Sequence, residues 1–181
     1  MQKSKVSSHL FKIVLTGVLI ALNVILERFL AYSVWNQTIS LGFITVAFAA
    51  SFLGIPYAIA VAGLGDLIGS LLFPFGTYFA GFTITNCLYA LITAIFIHKN
   101  ATALKVMLSV ILNKLICSLA LNTIWISLLY RGGIDAFPAV FVTRIPQALI
   151  MGVIEIAVIL ILFWKKSKIK ILLDKNINRI I

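Results

Sequence analysis

Between Phe11 and Trp164 the chain passes through six apolar stretches, each separated from the next by only a short connection. No other feature limits the fold so strongly. A bilayer core about 30 Å thick takes roughly 20 residues of helix, and in lipid each span must satisfy its own backbone polar groups. Spans are therefore expected near Phe11–Ala31, Leu41–Gly54, Pro56–Phe75, Phe79–Ile97, Lys105–Tyr130 and Phe141–Trp164. The second is short and meets the third at a tight GIPY turn, Gly54 to Tyr57. Pro56 suits a first helical turn, where its missing N–H costs nothing. Composition agrees, with 62% hydrophobic and 11% charged residues, against about 45–50% and 25% in a soluble domain. The expected fold is an all-α integral membrane protein, a bundle of six transmembrane helices forming one domain over residues 1–181.

Orientation follows from the basic residues. Lys3, Lys5 and Lys12 precede or open the first span, and Lys99 and Lys105 flank the connection between the fourth and fifth. Lys165, Lys166, Lys168, Lys170, Lys175 and Arg179 follow the sixth. These are eleven of the 15 Lys and Arg residues, all on one side of a six-span arrangement. The positive-inside rule then places both termini in the cytoplasm. The net charge of +10 is mostly this rim facing anionic lipid, and nucleic acid is not needed to explain it. The basic start is read as a retained first helix rather than a cleaved signal, because Asn23, Glu27 and Arg28 interrupt the apolar run and no small-residue cleavage site follows. Cys87 and Cys117 both fall within spans, which gives a disulfide framework no support.

Several chemistries are excluded. There is no G-x-x-x-x-G-K-[ST] to bind ATP in a P-loop and no H-E-x-x-H. His9 and His98 lie on separate flanks, and the five acidic residues are scattered, so no metal site is expected. Serines and threonines in the spans have no base beside them and serve helix packing. An enzyme is not expected.

The remaining charges are informative, since ionisable residues within spans are functional candidates and need partners. Asp66 lies ten residues past Pro56, Lys114 nine past Lys105, and Glu155 ten before Lys165. At about 1.5 Å per residue, all three sit roughly 13–15 Å deep, near the bilayer middle. An interhelical ion pair between Lys114 and Glu155 is expected, with Asp66 close by or bonded to polar neighbours. Its role is structural, a lock between helices; a proton relay is the alternative.

A second group of charges lies at the outer face. Arg28 ends the first span, Arg131 follows the fifth and Arg144 begins the sixth. Glu27, beside Arg28, points about 100° away from it on a helix. Phe29, Tyr32, Trp35, Phe75, Tyr78, Phe79, Phe82, Trp125 and Tyr130 crowd the same level. Some of these form an interfacial aromatic belt with snorkelling arginines. Arg144 precedes Pro146 at an expected helix start, where side chain and helix N-terminus both favour an anion. Asn86 and Asn122 add amides that read a heteroaromatic edge bidentately, while aromatic faces stack on its plane. Such a set suits a flat polar ring that carries carboxylates.

Three segments, GDLIGSLLFPFGTYFAGFTITN (Gly65–Asn86), LNTIWISLLYRG (Leu121–Gly132) and TRIPQALIMGVIE (Thr143–Glu155), resemble the substrate-binding S components of energy-coupling factor (ECF) vitamin transporters. Within that family they look most like the folate-specific member; the LNT-x-W and R-x-P segments carry that preference. The resemblance implies a vitamin site near the outer surface, beneath the connections between spans one and two, three and four, and five and six. It implies docking on a membrane scaffold subunit with two ATP-binding subunits, which alone use ATP, so no cofactor is expected in this chain. Docking in the family uses small residues on span one, usually Ala-x-x-x-Ala; the matching positions here are Gly17 and Ala21, with glycine replacing the first alanine. The implied ligand is folate, its two carboxylates clamped by Arg28 and Arg144. Its pterin would stack among Trp35, Tyr78, Phe82 and Trp125, with Asn86 and Asn122 reading the edge. The alternatives are an S component for pantothenate, riboflavin or a queuosine precursor, or a non-transporting membrane scaffold protein.

Overall fold

The structure, a computed structural model, describes residues 2–34, 37–74, 76–98, 101–130 and 133–164. Trp35, Phe75, Lys99, Arg131 and the basic residues from Lys165 to Arg179 lie outside the described residues. Helix α1 (Gln2–Val24) continues into a π-helical turn, Ile25–Phe29. Helices α2 (Phe43–Phe52), α3 (Ile55–Leu72) and α4 (Ala80–Ile97) follow. Helix α5 (Ala103–Asn113) runs through a π-helical stretch, Lys114–Leu121, into α6 (Asn122–Tyr130). A 3-10 turn, Ile134–Ala136, then leads into α7 (Phe137–Trp164).

Among the described residues, five segments are long and apolar enough to cross a bilayer: His9–Phe29, Ile55–Leu72, Ala80–Ile97, Ala103–Leu129 and Ile134–Trp164. The sixth rod, α2, has only 10 residues. At 1.5 Å per residue it covers about half of the hydrocarbon core. Seven of those ten residues are buried, including Val46, Ala47, Ala49 and Ala50, so α2 sits inside the bundle and not at its lipid face.

The all-helix expectation is modified in one place. Before α2 the chain forms a small antiparallel hairpin, β1 (Tyr32–Val34) with β2 (Gln37–Ile39), in the register Tyr32↔Ile39, Ser33↔Thr38 and Val34↔Gln37. Pairing the two strands satisfies backbone groups that a bare connection would leave open, and its β-branched and aromatic residues suit a pleated strand.

Local chemistry sets the joints. Gly54 takes φ 109°, a left-handed-side conformation that an L side chain resists, and so breaks α2 from α3. Pro56 falls in the first turn of α3, and Thr102 caps α5 by accepting from the Lys105 N–H. Helix α7 corrects an expectation. It begins at Phe137 rather than Phe141, with Pro138 in its first turn, so Arg144 lies two turns inside and is not at a helix start. Pro146 is interior, and its missing N–H leaves the Val142 carbonyl without its usual partner.

Helix α3 packs chiefly against α4 and α1. Its glycines make this possible. A Cβ on Gly63 would stand 2.7 Å from Cys87 Sγ, and one on Gly65 would stand 2.6 Å from Asn23 Nδ2. Small residues replace the hydrophobic effect as the driving term for helix approach in lipid, because close backbones gain van der Waals contact.

Candidate ligand-binding site

A cavity of about 170 Å³ opens within the bundle. Glu27 reaches it from the π-helical turn after α1, and Ser40 and Phe43 from the start of α2. Thr85, Asn86 and Tyr89 line it from α4. Asn113, Lys114, Ser118 and Asn122 line it from the α5–α6 rod, and Arg144, Gln147, Met151 and Glu155 from α7.

Helical periodicity explains the α7 wall. Positions 144, 147, 151 and 155 recur at spacings of three and four, so one face of the helix carries all of them. Arg144 and Glu155 thus project into the same space, about 16 Å apart along the axis at 1.5 Å per residue. Both are buried, at 6% and 3% exposure. On the facing rod, Lys114, Ser118 and Asn122 follow one another at intervals of four, and the π-helical stretch widens the turn that they share.

Lys114 Nζ donates to Glu155 Oε1, forming an ion pair between the two rods. Tyr89 donates its hydroxyl to the other Glu155 oxygen at 3.3 Å. Beside them, Asn113 Nδ2 donates to Thr93 Oγ1 at 2.9 Å. Asn122 lines the cavity with a buried Oδ1 that has no hydrogen-bond partner among the described residues.

Asp66 stands apart from the Lys114–Glu155 pair. Of the two places expected for it, beside Lys114 and Glu155 or bonded to polar neighbours, it takes the second, and its carboxylate belongs to a separate network. Arg28 donates to Asp66 Oδ1 at 3.4 Å and to Ser70 Oγ at 2.7 Å. Thr83 donates to Asp66 Oδ2 at 2.6 Å, and Tyr78 Oη lies 3.2 Å from Thr83 Oγ1. Equal depth does not bring side chains together when helix rotation points them to different neighbours. Gly69 leaves room for this network, since a Cβ there would stand 2.9 Å from Arg28 Nε. Arg28 therefore turns toward α3, while its neighbour Glu27 faces the cavity.

The described aromatics pack mostly on each other. Phe79 lies 5.3 Å from Trp125 and 6.1 Å from Phe82 between ring centroids. Trp125 Nε1 donates to Thr85 Oγ1 at 3.1 Å, which ties this cluster to the cavity wall. Tyr78, Phe82 and Trp125 do not themselves line the cavity. Gly17 and Ala21 are exposed on α1, far along the helix from these groups, and a Cβ on Gly17 would meet nothing within 4 Å.

Of the expected ligand residues, the cavity brings together Asn86, Asn122 and Arg144. It adds Glu27, Tyr89, Asn113 and Gln147, which were not singled out as ligand groups. Gln147 and Asn113 had a usable signal, since one lies a helical turn from Arg144 and the other adjoins Lys114. Glu27 had none beyond its charge.

A buried arginine, a chain of amides and an interhelical ion pair around one cavity in an apolar bundle form a small-molecule site in a membrane protein. The profile of the ECF transporter substrate-specific component family matches residues 11–163. The chain belongs to this family. It is accordingly a multi-pass protein of the bacterial plasma membrane. It is 32% identical to the folate transporter FolT of Clostridium novyi (strain NT) over 148 residues, covering 81% of this chain and 84% of that one. The folate transporter FolT of Leuconostoc mesenteroides subsp. mesenteroides is also 32% identical, over 149 residues and 80% of each chain. The crystal structure of FolT bound with folic acid superposes with a TM-score of 0.77 at 32% identity, over 83% of this chain and 90% of that chain.

Proposed function

We propose that this S component captures folate in the cavity between α4, α5–α6 and α7. The observation that carries the reading is the shared fold and 32% identity with a folic-acid-bound FolT across 83% of the chain. The cavity's chemistry supports it. Arg144 offers a buried guanidinium for a glutamyl carboxylate through charge-assisted bonds, and Asn86 and Asn122 offer amides to a polar ring edge. Phe82 and Trp125, joined through Phe79, and Tyr78, beside Thr83, are the aromatic candidates near these groups, with Trp35 as a further one. Arg28, the second residue expected at the ligand's carboxylates, is bonded to Asp66 and Ser70 off the cavity lining and would reach a ligand only by leaving them.

The chain binds and carries out no chemistry. Release inside follows docking on a membrane scaffold subunit with two ATP-binding subunits, whose ATP hydrolysis supplies the energy. Gly17 and Ala21 are the docking contact: small, exposed and four residues apart, they let another helix backbone come close. The basic rim places both termini in the cytoplasm.

Calorimetry on the detergent-solubilised chain tests the ligand, with folic acid in one cell and riboflavin or pantothenate in the next. Tight binding of folic acid alone is expected; folded protein that ignores folic acid refutes the substrate. Gly17→Trp tests the docking contact. The variant is expected to abolish uptake in cells that carry the complete transporter while still binding folic acid, and normal uptake would sink the assignment.

A further inference from the structure

We infer that Glu27 is the specificity-determining residue of the cavity: its carboxylate accepts a pair of hydrogen bonds from adjacent N–H groups on the edge of the ligand's heteroaromatic ring. The inference rests on the folate reading above, in which that edge is the 2-amino group and neighbouring ring N–H of the pterin.

Three observations place Glu27 in this role. The π-helical turn Ile25–Phe29 sends its side chain into the cavity and sends that of Arg28 the other way, onto Asp66 and Ser70. Among the described residues Glu27 makes no ion pair and is bonded by the neutral side chain of Asn23, whereas the cavity's other carboxylate, Glu155, has one oxygen on Lys114 and the other on Tyr89. The Glu27 carboxylate is also held in place. It lies against the bare backbone of Gly42, at the entry to α2, so closely that a Cβ there would overlap Cγ and Oε1 and stand 2.7 Å from Cδ.

The chemistry then selects the ligand. A carboxylate that accepts with both oxygens matches two parallel N–H donors. The buried, unpartnered Oδ1 of Asn122 on the same cavity is a further acceptor waiting for a donor. A 2-amino-4-oxo pyrimidine edge presents two adjacent donors. A ring edge without that pair leaves the carboxylate desolvated and unmatched, and sites built to bond a polar group reject analogues that lack it.

The test titrates folic acid and its 2-desamino analogue into the wild-type chain, Glu27→Gln and Gly42→Ala. A glutamine amide offers one acceptor and one donor group in place of two acceptors. Glu27→Gln is therefore expected to lose folic acid affinity by roughly 10- to 100-fold. Wild type should lose a similar factor on removal of the 2-amino group, and the variant should lose little more. Gly42→Ala keeps the carboxylate but displaces it, so it should show the same pattern, and it carries the test if Glu27→Gln does not fold. The inference is overturned if the variants bind folic acid within about twofold of wild type, or if the 2-amino penalty is unchanged in them, since coupled groups must be non-additive. Failure of the folate reading looks different: wild type itself would not bind folic acid.

Discussion

Among the described residues two ion pairs join helices within this bundle, and they are put to different uses. Arg28–Asp66 joins the end of α1 to α3, and three hydroxyl-bearing residues, Ser70, Thr83 and Tyr78, surround it. It faces no part of the cavity. Lys114–Glu155 joins the α5–α6 rod to α7, with a single hydroxyl from Tyr89, and stands in the cavity wall. In lipid both pairs solve the same problem, since a lone charge there is expensive and a partnered one is tolerated. The difference lies in what surrounds them. The pair ringed by hydroxyls stands off the cavity lining, so its work is to fix helices. A pair that borders a cavity sets the polarity and shape of whatever binds there.

The comparison can be broken by experiment, beginning with the largest effect. Lys114→Met strands a buried carboxylate in the cavity wall, and breaking a buried pair costs about 3–5 kcal/mol. Thermal unfolding in detergent should show that loss, together with weakened folic acid binding. Adding Glu155→Leu should restore much of the stability, because the unpaired charge is then gone. If Lys114→Met leaves stability and binding as they were, the pair has no such role.

Arg144→Ala comes next. It removes a charged cavity group whose hydrogen bonds are worth about 1.5–3 kcal/mol each, so folic acid affinity should fall roughly 10- to 100-fold. Unchanged affinity would exclude Arg144 from the ligand.

Asp66→Asn sharpens the contrast between the pairs. The loss should be about 1–3 kcal/mol of stability, with Ser70 still accepting from Arg28, and folic acid affinity should stay within about threefold because the network stands off the cavity. An affinity loss as large as that of Lys114→Met would show that the two pairs are not separate in function.

The smallest effect is expected of Trp125→Phe. It removes one hydrogen bond to Thr85, worth about 1 kcal/mol, and keeps most of the ring packing against Phe79. A larger drop in affinity than in stability would place Trp125 at the ligand and not behind it.

Much of this molecule can be read along the chain. The apolar runs specify a membrane bundle because lipid leaves the backbone few alternatives to helix. The facing of Arg144 and Glu155 from one side of α7 follows from a spacing of 11 residues and a period of 3.6. The partnership of Lys114 with Glu155 follows from depth, since two opposite charges at one level on different helices find each other when the helices are neighbours. The same reasoning left Asp66 two places, beside that pair or among polar neighbours, and only the structure chose the second, with Arg28, Ser70 and Thr83 around it. It also placed Arg144 at a helix start, because Pro146 reads as an opening proline until Pro138 is seen to hold that place.

What the sequence determined by itself is what one-dimensional counting reaches: fold class, the apolar segments and the residues that share a helix face. Which faces meet was decided only by the tertiary structure. A π-helical turn at Ile25–Phe29 exchanges the directions of Glu27 and Arg28, and glycines at 42, 65 and 69 admit side chains that a methyl group would exclude. Both are settled by the close approach of backbones from segments distant in sequence, and helix rotation is a degree of freedom that linear spacing does not contain.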